Sequence, residues 1–149
     1  MRAYRHQAGV MLIEALIGIL IFSIGILALL GMQGAAIKNT TDARYRSEAA
    51  FLATQVIGQM WVDMGNLASY DTDNAVAYAP RDTWVNNVAT TLPGITVGGA
   101  RTPTIQVGPD AALGLAPQEV RVQVQWQQPG DTDTRMVTIL NRIHSGSGV

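Results

Sequence analysis

The chain has 149 residues, a formal net charge of -1 and no cysteine, which excludes disulfides, thiolate metal sites and cysteine nucleophiles. A pI near 6.0 gives no bulk-charge reason to expect nucleic acid as a partner. Charged residues make up 14% of the chain against a usual share of about 25%; one N-terminal apolar segment accounts for part of that deficit and leaves length for only a small globule.

That segment, residues 10–32, carries a single ionisable group, Glu14. At a helical rise of about 1.5 Å per residue it is long enough to span a hydrocarbon core about 30 Å thick. It also exceeds the roughly 7–15 apolar residues of an ordinary signal peptide. Arg2 and Arg5, with His6 beside them, precede it, so the N-terminus is expected in the cytoplasm and the rest of the chain outside. Two plain readings exist: a membrane anchor, or a secretory signal cut in "GMQGAAIKN" near Ala35 or Ala36. Neither explains an acid inside the apolar run, where a carboxylate costs roughly 3 kcal/mol on insertion scales.

The residues around that acid read "G-V-M-L-I-E", from Gly9 to Glu14. The stretch resembles the processing site of type IV prepilins, commonly G-F-T-L-I-E. Gly9, Leu12, Ile13 and Glu14 match; Val10 stands where phenylalanine is usual and Met11 where threonine is common. The resemblance implies a leader of residues 1–9, cleaved after Gly9 on the cytoplasmic side by a prepilin peptidase that also methylates the new amine of Val10. It implies a transmembrane and assembly helix over 10–36 and a periplasmic domain over 37–149 that includes the second half of the helix. In the family, the glutamate of an incoming subunit pairs with the N-terminal amine of a neighbour. Opposite charges about 4 Å apart attract by about 4 kcal/mol at an effective dielectric of 20, so pairing relieves two groups that are each costly alone, and fixes register.

"SIGILALLGMQ", residues 23–33, is similar to the I-G-L-L-G-L-A-x-x-Q run of PilV-type minor pilins. Major pilins usually carry a helix-bending proline where this chain has Gly31; the first proline here is Pro80. Gly18, Gly25, Gly31 and Gly34 offer softness or close packing instead. The implied function is that of a minor pilin that helps to initiate a type IV pilus and joins it, moving from the bacterial inner membrane to the filament. Implied partners are other major and minor pilins, the prepilin peptidase and the inner-membrane assembly platform, with no cofactor. The same motif also suits a pseudopilin of a type II secretion system. A third reading is an adhesive or DNA-capturing module at a pilus tip, with its specificity on loops such as 69–81 or 93–103.

Beyond the membrane segment the helix is expected to continue, with a local weakness at Asn39, Thr40 and Thr41. Ala49, Leu52, Ala53, Val56, Ile57, Met60, Met64 and Leu67 recur at helical spacing. This one-sided stripe, with Trp61, reads as core, and Gly65-Asn66 as the stop. Residues 69–82 read as a loop; Asp71, Asp73 and Asn74 sit in it without the glycine and glutamate of a complete calcium loop. A short helix follows, started by Pro80 and Asp82, with Trp84, Val85, Val88 and Leu92 on one face and Pro93-Gly94 at its end.

The remainder is strand-like: 95–97, 104–107, 119–127 and 134–142. Val120, Val122, Val124 and Trp126 alternate with Arg121, Gln123, Gln125 and Gln127, the pattern of a half-buried strand. Val137, Ile139 and Asn141 share one face of the last strand; Met136, Thr138 and Leu140 share the other. The tail after Ile143 reads as frayed. The fold class expected is α+β and pilin-like: a long N-terminal helix on a small antiparallel sheet. No metal-ligand spacing, nucleophile elbow or phosphate loop is present, so no catalytic residue is assigned and the chain is not expected to be an enzyme.

Overall fold

The structure, a computed structural model, describes residues 8–144; most of the expected leader, with Arg2, Arg5 and His6, and the tail beyond His144 lie outside them. The architecture is α+β. Helix α1 (Ala8–Val62) is followed by a 3-10 helix (Met64–Tyr70) and helix α2 (Ala79–Thr91), then strands β1 (Thr104–Val107), β2 (Glu119–Gln127) and β3 (Thr134–Arg142). The strands form one antiparallel sheet in the order β1-β2-β3, with Ile105 opposite Val122 and Val122 opposite Ile139. The chain divides into two compact units after Thr41.

Among the described residues the first unit is helix alone. Every residue from Val10 to Thr40 is exposed, including Leu12, Ile13, Leu16 and Phe22. This stretch has a mean hydropathy of 2.7 in its most apolar window, enough in length and composition to cross a membrane. The expected weakness at Asn39–Thr41 is not a break. The helix runs through it, and Thr40 Oγ1 donates back to Ala36 O (2.9 Å), a helical position threonine often takes.

The second unit is a helix-on-sheet layer. Ala49, Leu52, Ala53, Val56, Ile57 and Met60 of α1 meet Trp84, Val85 and Val88 of α2 and the inner face of the sheet, where Ile105, Val120, Val122, Val124 and Trp126 are fully buried. β2 alternates without exception between buried and half-buried residues, as the 2-residue period of a strand requires. α2 is tied to α1 by Trp84, whose Nε1 donates to Leu52 O (2.9 Å).

Four expectations are corrected. Residues 95–97 are not a strand: Gln127 N–H donates to Pro93 O (3.1 Å), and both sides of β2 are already paired, which leaves no free side of β2 for them. Trp61 and Met64 are exposed rather than core, and Trp61 instead meets His144 edge-on at 6.1 Å. α1 ends at Val62, before Gly65-Asn66, and the chain tightens into the 3-10 helix there. The loop is shorter than expected, because Ser69 and Tyr70 belong to that 3-10 helix and Ala79–Asp82 to α2.

Candidate functional site

The residues singled out by sequence fall on the first turns of α1. Gly9 and Val10 lie within the helix. Val10, Ile13, Glu14 and Ile17 line one shallow groove on its surface, as residues three and four apart must. Helical side chains lean toward the N-terminus, so the Glu14 carboxyl leans over the turn that begins at Val10. Leu12 and Ile13 are exposed at 67% and 60%. Glu14 has no hydrogen bond or ion pair among the described residues. The structure therefore brings Val10 and Glu14 onto one face of α1, in a stretch where every residue from 10 to 40 is exposed. While the Gly9–Val10 peptide bond is intact, Val10 offers no positive charge; a cut there would create one about a turn from the acid.

Several charged groups of the second unit are engaged within it. Asp42 accepts from Arg46 Nε (2.9 Å) and from Gln128 Nε2 (3.0 Å), and pairs with Arg135. The Arg46 hydrogen bond, helped by the Arg135 charge, holds its carboxyl below the usual range. Asp63, just past the end of α1, accepts from Tyr78 Oη and from Asn66 Nδ2 (2.7 Å). These bonds, Tyr78 first, lower its pKa and push the Tyr78 hydroxyl well up. Asp71 accepts from the backbone N–H of Asp73 (2.8 Å) and Val107 (2.9 Å), so both oxygens serve the fold.

Sequence reasoning did not single out Arg81. It is 7% exposed, and its guanidinium donates to the carbonyls of Asp71 (2.8 Å), Asn74 (3.0 Å) and Val76 (3.0 Å). Nothing in "APRD" marks it, because its partners are carbonyl oxygens that any residue supplies. A groove of about 550 Å³ lies between α1 and α2, with Gln55, Gln59, Thr83 and Asn87 around Tyr70 and Trp84. Its polar groups are neutral amides and hydroxyls, with no carboxylate, histidine or lysine among them.

No protein-family model, curated protein or solved structure matches the chain.

Proposed function

We propose that the chain is a minor pilin: a membrane-anchored subunit, processed between Gly9 and Val10, that helps to initiate a type IV pilus and enters the filament. The observation that carries this reading is Glu14. Among the described residues it is an ionisable group without a partner, on the exposed apolar stretch of α1 over residues 10–40, one turn from the Gly9–Val10 junction. An acid in that setting acts by meeting a charge on another chain, and the amine released at Val10 is the charge the motif would supply. The catalytic machinery would belong to the peptidase.

The test has two parts. Mass spectrometry of the membrane-extracted chain, with and without a prepilin peptidase, should find a start at methylated Val10 only when the peptidase is present. A start at Met1 in both samples, or near Ala35, would overturn the reading. Glu14→Gln should insert into the membrane and be processed as the parent is, yet fall by at least about tenfold in sheared filaments, the equivalent of about 1.4 kcal/mol. Unchanged incorporation would remove the role assigned to Glu14.

A further inference from the structure

Four neutral side chains converge where the two helices of the second unit meet. Gln55 and Gln59 are one turn apart on α1, and Thr83 and Asn87 are one turn apart on α2, so each pair shares a helix face. Together they line the groove of about 550 Å³ between the helices. That volume is ordinary for a small-molecule site, which spans roughly 300–1,000 Å³. The two helices are tied to one another, because Trp84 Nε1 donates to Leu52 O (2.9 Å), so the groove is formed before any ligand arrives.

Several amides elsewhere in this unit are spent on the fold. Gln128 Nε2 donates to Asp42 (3.0 Å), Gln127 Nε2 to Asp131 O (2.7 Å) and Asn66 Nδ2 to Asp63 (2.7 Å). In the groove, Gln55, Gln59 and Thr83 make no side-chain hydrogen bond among the described residues, and Asn87 engages only its side-chain oxygen, 3.5 Å from Thr91 Oγ1. The hydroxyls of Thr54, Thr90 and Thr91 donate back to carbonyls four residues earlier; that of Thr83 does not. The charges nearest in sequence face other groups. Asp63 accepts from Tyr78 and Asn66, and Asp82 accepts from Arg81 Nε (2.9 Å) and from Tyr78 N–H (3.1 Å).

We propose that the groove between α1 and α2 binds an uncharged saccharide. Two features select that chemistry. The first is charge. An ionised ligand entering the groove loses solvation and meets no counter-charge there, which is costly. The second is the pattern of free groups. Each amide presents an acceptor and two donors side by side. Vicinal ring hydroxyls, each a donor and an acceptor at once, answer both ends of such an amide together. A peptide group, whose N–H and C=O point apart, answers one end at a time. The floor suits the C–H side of a sugar ring. Tyr70 and Trp84 are 2% and 3% exposed, and their polar atoms already face Asp63 (3.5 Å) and Leu52 O, so ring carbon is what they offer. The groove lies wholly within the second unit, so the site stands apart from the pilin reading.

The probes are the methyl glycosides of glucose, galactose, mannose and N-acetylglucosamine, added at millimolar concentration to the full chain in a sugar-free detergent. The site requires at least one of them to shift the side-chain amide NMR signals of Gln55, Gln59 and Asn87 saturably, with that of Gln125, on the sheet face turned away from the helices, unchanged. Glucuronic acid and glucosamine should bind at least about tenfold more weakly. Gln59→Leu and Asn87→Leu, at exposed positions, should each weaken binding about fivefold with near-UV circular dichroism unchanged, and Gln125→Leu should not weaken it. The proposal is overturned if no glycoside shifts these signals, if the charged sugars bind as well as the neutral ones, or if the two groove variants bind as the parent does. It is equally overturned if N-acetylglycinamide moves the same signals as strongly, since the groove would then read amides and not hydroxyls.

Discussion

Two charged side chains illustrate opposite solutions to a low-dielectric setting. Arg81 is buried, and four carbonyls, those of Ser69, Asp71, Asn74 and Val76, together with Asp82 surround its guanidinium; the planar fork suits several acceptors at once, which a lysine would not. Glu14 has no such shell among the described residues, and under the function proposed above its partner comes from another chain. Two tryptophans give a matching contrast within the core. Trp84 and Trp126 are 3% and 0% exposed. Trp84 Nε1 donates to Leu52 O, whereas Trp126 Nε1 has no partner. Replacing either by phenylalanine removes a similar volume, but only Trp84→Phe breaks a hydrogen bond, while Trp126→Phe removes a buried donor that was already unsatisfied. Trp84→Phe should therefore cost about 1–2 kcal/mol more than Trp126→Phe. Urea midpoints of the two variants against the parent measure the difference, and equal losses would contradict it.

At the level of elements, the end of α1 is held by side chains that sequence patterning does not display. Asp63 collects Tyr78, Asn66 and, at 3.5 Å, Tyr70, and so joins the helix terminus to both ends of the following loop. Its carboxyl titrates below its ordinary value because these groups, Tyr78 foremost, donate to the charged form. A depressed folded-state pKa contributes stability at pH values above the unfolded one, and that contribution is lost as pH falls through the folded one. The loss therefore sets in below about pH 4. Asp63→Asn should narrow the gap in urea midpoint between pH 6 and pH 3; a gap of unchanged size would show that the acid loss arises elsewhere, with Asp42 and Glu119 as the other lowered carboxylates. Periodicity made the rest of these elements legible. The alternation in "EVRVQVQWQ" and "TRMVTILNR" gives β2 and β3 with their bounds, and the i, i+3, i+4 stripe gives the core face of α1. It failed where partners decide. "ITV" has strand residues but no free ladder, and Trp61, one residue past Met60, lands beyond the buried arc. At the site, the sequence supplied Val10 and Glu14 and their shared face. It could not supply the cover over β1, where Thr72 and Asp71 meet Ile105 and Val107 across more than 30 positions of chain.

For the molecule as a whole, the division after Thr41 separates a helix that buries nothing from a unit that holds the entire core. The most N-terminal buried hydrophobic residue is Ala49, and all the others lie beyond it. A chain beginning at Lys38 therefore loses no core residue. It keeps Asp42, whose bonds to Arg46, Gln128 and Arg135 tie the start of the packed helix to the β2–β3 turn. In proteins most helical stability comes from the packing of one apolar face; here that packing is intact. The shortened chain should be soluble, monomeric by sedimentation at micromolar concentration, and should melt in one cooperative step with native near-UV dichroism. Asp42→Ala in that background should lower the midpoint modestly without abolishing the transition, because the exposed pair with Arg46 is worth little alone and the core is untouched. A helical but non-cooperative product lacking near-UV signal would mean that residues before Lys38 support the sheet-bearing unit. The apolar helix would then be part of the fold as well as long and apolar enough to cross a membrane.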